Sequence, residues 1–189
     1  AIGRPRKLLD LALEHCRQSL SLCPLPGDVY LYYAKLRFLE NPQQQDLSPC
    51  WDQAVLLRPM DGNVLFTVGQ EYALTLNDDK AYEYWQRAFQ AGPIQQRNLI
   101  DILASHLKAE EFLKKFQPDV QAAYWLARKF QDLDLRSEYR ISLRYYGEAS
   151  EKYAATVSEH QSAHAWLGAF NVYRELENEP EASRCLQQA

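Results

Sequence analysis

Residues Gly62 to Pro93 read GNVLFTVGQEYALTLNDDKAYEYWQRAFQAGP, and the spacing inside this stretch decides the fold. Val64, Leu65, Val68, Tyr72 and Leu76 recur at helical intervals and form one apolar stripe, which predicts a helix from about Asn63 to Leu76. Asn77, Asp78 and Asp79 then offer side-chain acceptors to the free N–H groups of a second helix, which carries Ala81, Trp85, Ala88 and Phe89 on one face. Gly69 is expected opposite Ala81 and Ala88, where small residues let two helix axes approach to the short end of the usual ~8–10 Å range. Gly92 in the left-handed cap conformation and Pro93, which cannot continue the ladder, end the second helix. One hairpin cannot cover both of its faces, so the stretch requires neighbours.

Those neighbours are legible on both sides. Ala12, Cys16, Ser19 and Pro24 repeat the spacing of Ala81, Trp85, Ala88 and Pro93, so 5–24 reads as a second helix (helix B) without its first (helix A). Its stripe of Leu8, Leu11, Ala12 and Leu20 needs a cover, either an upstream helix A or a second copy of the chain in a homodimer. Residues 27–59 form the next repeat. Tyr30, Tyr33, Ala34 and Leu36 lie on helix A, a polar loop begins at Pro42, Ser48 caps a helix B with Pro49 at its first position, and Trp51, Ala54 and Pro59 match Trp85, Ala88 and Pro93. The steps from Pro24 to Pro59 and from Pro59 to Pro93 are 35 and 34 residues. The period is real.

Beyond Pro93 the pattern weakens. Residues 94–118 make a shortened, degenerate repeat, with Leu99, Ile102, Leu103 and Leu107 on one helix and Phe112, Leu113 and Phe116 on a clipped second one that is expected to change the stacking angle. Residues 119–157 recover the spacing through Ala123, Leu126, Ala127 and Phe130, followed, after about three extra residues in the turn, by Ser142, Tyr146 and Ala149. In 160–189 a capping-box pair, Ser158 and Gln161, precedes Trp166, Phe170 and Tyr173. Ala182, Leu186 and Ala189 then match Ala81, Trp85 and Ala88. The expected product is a single all-α domain over 1–189 of nine to ten helices without strands, interrupted at both ends and therefore an excerpt of a longer protein.

Composition agrees with helices. The chain has 47% hydrophobic residues, 12 Tyr, 7 Phe and 4 Trp, against 7 Gly and one Met, which favours large side chains packed between helices over turn-rich β structure. A net charge of -4 offers no basic surface for nucleic acid, and Arg4, Arg6 and Lys7 read as a solvated helix start. No apolar run is long enough for a membrane span, so no direct insertion of this segment is expected. Cys16, Cys23, Cys50 and Cys185 lack metal-ligand spacing and behave as small hydrophobes, and reduced thiols fit a cytoplasmic setting.

The spacing of Leu65, Val68, Gly69, Tyr72, Ala81, Trp85, Ala88 and Pro93 follows W-x2-L-G-x2-Y, A-x3-F, then P, and by it the chain resembles the tetratricopeptide-repeat (TPR) family. The resemblance implies an α-solenoid of stacked antiparallel helix pairs, a right-handed superhelix whose A helices line a concave groove, and a non-catalytic protein–protein interaction scaffold. The carboxylate clamp of one subfamily is absent, since its positions hold Phe66 and Gln70 in the best repeat and Leu31 and Lys35 in the preceding one. The groove positions are Leu31, Lys35 and Phe38, then Asn63, Phe66 and Gln70, then Tyr124 and Arg128, then His164, Asn171 and Arg174. Apolar anchors alternating with amides and cations suit an extended or helical protein or peptide partner bearing hydrophobic and acidic side chains. Residues 57–119 also resemble the repeat tail of bacterial O-antigen ligase-like proteins, which implies the alternative of a soluble tail on a membrane-bound glycan ligase, or an enzyme-accessory domain.

No cofactor or metal site is read from the chain. His160 and His164 could share a metal, but no third ligand accompanies them. His106 with Glu110 and Glu111 reads as a solvated turn rather than an acid–base group. Glu138, Tyr139, Arg140, Arg144, Tyr145 and Tyr146 interleave aromatics with arginines, a mix able to hold a planar or anionic partner or simply to present a charged outer helix face.

Overall fold

The computed structural model describes residues 3–41 and 46–189. The side chain of Arg4 and the loop at Pro42 lie outside the described residues. Among those described, the chain is all-α, with eleven helices and no strand, and no helix is long and apolar enough to cross a membrane. The count exceeds the expected nine to ten because the clipped segment forms a full eight-residue helix, Ala109–Phe116. The chain divides into two compact units, one ending at Gln95 and the other beginning at Gln96.

The first unit holds α1 (Gly3–Leu22), α2 (Gly27–Glu40), α3 (Ser48–Leu57), α4 (Gly62–Leu74), α5 (Asp78–Ala91) and the start of α6 (Pro93–Leu103). Helices α1 and α2, α2 and α3, and α4 and α5 pack in sequence, with Trp51, Ala54, Val64, Val68, Trp85 and Phe89 in the core. Among the described residues of α1 only Leu13 is deeply buried, and Leu8 and Leu11 stand 67% and 54% exposed. The cap of α3 sits one residue earlier than expected. Leu47 is the N-cap, and it is the Asp46 carboxylate that accepts from the Ser48 N–H at 3.0 Å. Elsewhere side chains cap as polar residues at helix starts should: Asp61 accepts from the N–H groups of Asn63 and Val64, and Asn77 from that of Lys80.

Three features of the deciding hairpin differ from the sequence reading. Leu76 is not on the buried stripe. It follows the end of α4 at φ 59° and is 90% exposed, because the chain must turn there rather than continue. Gly69 faces the indole of Trp85, not Ala81 and Ala88: a Cβ placed on Gly69 would lie 2.4 Å from Trp85 Cδ1. Gly92 is extended, with φ 154° and ψ 175°, a region open to glycine alone but not the left-handed cap.

The second unit holds the rest of α6, then α7 (Ala109–Phe116), α8 (Val120–Asp132), α9 (Arg136–Ala154), α10 (Glu159–Glu175) and α11 (Glu179–Gln188). Helices α8 and α9, α9 and α10, and α10 and α11 pack in sequence, while α7 packs on α9. The expected face of Ala123, Leu126, Ala127 and Phe130 is buried. No extra residues enlarge the α8–α9 turn. The added length lies in α9 itself, which has 19 residues against 14 in α5, and which buries Ser142, Leu143, Gly147 and Ser150. On α11 the buried positions are Ala182 and Cys185, with Leu186 exposed and Ala189 beyond the helix end, since α10 covers only one stripe of α11. Ser158 caps α10 by position only. Its hydroxyl meets the Gln161 side chain at 3.3 Å and makes no bond to the backbone, so the capping box is incomplete.

Helices α4, α8 and α10 end alike. A buried aromatic, Tyr72, Phe130 or Tyr173, accepts through its carbonyl from the backbone N–H five residues on, that of Asn77, Leu135 or Asn178. The residue just before that donor, Leu76, Asp134 or Glu177, is left-handed at φ 53–59°. This is the Schellman arrangement, and it passes directly into the next helix. The three helix pairs therefore share one turn, which gives a common origin for counting positions along each A helix.

Candidate interaction surfaces

Counting back from the shared turn, Phe66 and Tyr124 both stand six residues before the aromatic at the turn, and Gln70, Arg128 and Asn171 stand two before it. The equivalent of Phe66 on α10 is Leu167, which is exposed and which the sequence reading passed over, although the spacing was available to find it.

In the first unit, Leu31, Lys35 and Asn63 come together in a cleft of about 350 Å³ between α2 and α4, with Tyr32, Arg58 and Thr67. Leu31 is buried where α4 packs on α2, and it forms the floor of the cleft. Lys35 reaches Glu71 at 3.7 Å, and Arg58 contacts Asp28 and Asp61 at 3.2 and 3.3 Å. Each cation of this cleft thus has a carboxylate of its own chain. Asn63 accepts from Gln95 at 2.9 Å. Phe38 is exposed, and Phe66 and Gln70 are half-buried.

In the second unit, Tyr124 and Arg128 on α8 and His164, Asn171 and Arg174 on α10 are exposed and line no described cleft. Tyr124 packs against Tyr146, with ring centres 5.6 Å apart, and Arg174 lies over Phe170. The His164 and His160 rings meet edge to face at 4.8 Å. Among the described residues no group of three or more His, Cys, Asp or Glu could hold a metal ion.

The clefts of this unit lie elsewhere, along α9. The first, of about 340 Å³, is lined by Leu135, Tyr139, Arg140, Leu143, Glu175 and Leu176 among others. The second, of about 490 Å³, includes Arg144, Glu148, Glu151, Tyr173, Asn178 and Arg184. Leu176 lines both. Their signal in the sequence was the interleaved run from Glu138 to Tyr146, whose arginines prove to face these clefts.

Two tyrosine–carboxylate bonds tie α9 to α10 at the cleft walls. The Tyr139 hydroxyl donates to Glu175, and burial together with that carboxylate pushes the phenol up to about 12. Tyr173 is bonded to Glu151, and burial and the carboxylate again raise the phenol. Partial burial opposes the charge on Glu151, but the bonds from Tyr173 and Arg184 prevail and hold its carboxyl below the usual value. Arg184 bonds Glu151 and Glu181, each at 2.7 Å. Glu138 is committed too, since its carboxylate accepts from the Ala109 N–H at 2.6 Å and so caps α7.

No family model matches the chain, and no curated protein matches it. Among solved structures it is similar over its whole length to the crystal structure of MamA, at 16% identity, covering 92% of that chain with a TM-score of 0.39. It is also similar over 93% of its length to YrrB, a TPR protein with an unusual peptide-binding site, at 15% identity, covering 91% of that chain with a TM-score of 0.42.

Proposed function

We propose that the chain is a non-catalytic scaffold that binds a protein or peptide segment on the A-helix faces of its hairpins, α2 and α4 in the first unit and α8 and α10 in the second. The observation that carries this reading is the α2–α4 cleft, where Leu31, Lys35 and Asn63 converge beside the exposed ring of Tyr32. A cleft of about 350 Å³ accepts one or two side chains of a segment, not a folded domain. An apolar side chain of the ligand rests on Leu31 and Tyr32. An acidic one competes with Glu71 for Lys35, an exchange of one ion pair for another that sets specificity more than affinity. The four cysteines, all unpaired among the described residues, suit a cytoplasmic setting.

Replacing Phe66 with a photo-reactive phenylalanine, and Leu56 on α3 as the control, tests the surface. Crosslinking to a partner from Phe66 and not from Leu56, with capture weakened by Phe66→Ala and Arg128→Ala together, is the expected result. Equal capture by the parent and the double variant overturns the A-helix reading.

A further inference from the structure

His160 and His164 stand one turn apart on α10, so their side chains leave the same face of the helix about 6 Å apart along its axis. Both are exposed, and among the described residues neither imidazole makes a hydrogen bond or an ion pair. Their nitrogens are uncommitted. From Thr156 to Gly168 the chain carries one charged residue, Glu159, so no Lys or Arg of this stretch opposes a cation beside the pair. The ring centres are 4.8 Å apart. A metal ion about 2.0–2.1 Å from one nitrogen of each ring lies about 3.2 Å from each ring centre, and ligand angles of about 90–109° then set the two centres about 4.5–5.2 Å apart. The pair already has that separation. The rings stand at 86° to one another and need only rotate about exposed side-chain bonds to aim one nitrogen each at a common point.

We infer that His160 and His164 form an open, two-imidazole site for a divalent transition-metal ion. Imidazole suits Cu²⁺, Ni²⁺ and Zn²⁺, whereas Ca²⁺ and Mg²⁺ want oxygen ligands that the pair does not supply. Cu²⁺ binds tightest, with Ni²⁺ and Zn²⁺ weaker. The helix holds the second imidazole in place before the ion arrives, so the chelate gains over a lone histidine. Structural zinc takes four protein ligands and catalytic zinc three, so a site of two keeps further positions for water. Those positions are open to a donor from another molecule. His164 belongs to the A-helix face, so a segment bound there can bring that donor; this last step alone rests on the A-helix surface proposed above, and the metal site stands without it.

Isothermal titration of the full chain with Cu²⁺, Ni²⁺ and Zn²⁺ tests the site without any partner. His160→Asn and His164→Asn should each weaken Ni²⁺ by about tenfold or more, as even loss of an outer-shell partner does at metal sites, and leave the circular dichroism unchanged, since both side chains are exposed. Gln161→His with His164→Ala keeps four histidines and four cysteines but sets the imidazoles on adjacent positions that do not face each other. It should bind as weakly as the single variants. His106→Asn, outside α10, should keep the parent affinity. The site is overturned if the single variants or the relocated pair bind Ni²⁺ as tightly as the parent, or if His106→Asn weakens the ion as much as His164→Asn. Failure of the Phe66 crosslink leaves these affinities untouched, whereas equal affinities in parent and variants sink the metal site whatever the partner.

Discussion

Gly69→Ala places one methyl group where the hairpin has no room for it. The added Cβ would stand 2.4 Å from Cδ1 and 2.5 Å from Nε1 of Trp85, while carbon contacts settle near ~3.5–4.0 Å, so the indole must retreat by about 1 Å. Trp85 is buried and its Nε1 has no hydrogen-bond partner, so the ring is held by packing alone and every neighbour moves with it. Overpacking of this kind costs about 1–3 kcal/mol, and alanine's helix propensity returns about 0.8–1 kcal/mol, leaving a net loss near 1 kcal/mol. Gly168 is the internal control. A Cβ there meets only the Tyr146 hydroxyl at 3.5 Å, so Gly168→Ala keeps the propensity gain and stabilises by about 0.8 kcal/mol. Urea melts followed by circular dichroism should separate the two variants by roughly 2 kcal/mol. In a Trp85→Leu background the penalty at Gly69 should vanish, which a double-mutant cycle reads directly. If Gly69→Ala is as stable as Gly168→Ala, or if its penalty survives removal of the indole, the close approach of α4 to Trp85 is wrong.

Leu76→Gly should stabilise by about 1 kcal/mol, because an exposed L-residue at φ 59° gives up nothing in burial and sheds the left-handed penalty; a thermal melt lower than the parent's would refute the turn. Ser142→Ala should stabilise by a similar amount of about 1 kcal/mol, since the Ser142 hydroxyl is buried without a partner on a helix that prefers alanine, and an unchanged or lower urea midpoint would mean the hydroxyl is satisfied. For Tyr139 the folded pKa is raised, so its contribution is complete below the ordinary value near 10 and is lost as pH climbs towards about 12; Tyr139→Phe should remove one late component from the tyrosinate absorbance titration. Glu151 runs the other way. Its depressed carboxyl stabilises above the ordinary value near ~4.3 and loses that effect as pH falls through the folded value, so parent and Glu151→Gln should converge in stability only in acid.

What the sequence shows well is burial that repeats locally. Ala123, Leu126, Ala127 and Phe130 are buried as their spacing requires, because a helix fixes which residues share a face without reference to the rest of the chain. What it hides is any contact that depends on a neighbour's rotamer or on a turn. Which side chain crosses the gap at Gly69 is settled by the indole of Trp85, three residues from the nearest small position, Ala88, and no periodicity reports that. Leu31 is a groove position by spacing, but that it is also buried against α4 depends on how two hairpins stack, which the spacing does not report. The α9 clefts were half legible. The run of arginines and tyrosines was visible, but which carboxylates are already committed, and hence which arginines remain open, is a property of α10 and α11.

The shared turn explains why the two kinds of surface differ so much in how they read. Its backbone is fixed by a buried aromatic whose carbonyl accepts from the next helix's first residues, and that bond places no demand on the side chain at the left-handed position. Leucine, aspartate and glutamate all occupy it, in defiance of the glycine preference, at Leu76, Asp134 and Glu177. The turn edge of each hairpin is thus constant in geometry and free in chemistry. In the first unit the freedom is used by Leu74 and Leu76, both exposed. In the second Asp134 pairs with Arg136, and Leu176, just before the left-handed Glu177, lines both α9 clefts. A surface assembled on such an edge has no repeat signature to betray it, and its chemistry is read only from the pairing of each charge with its neighbours.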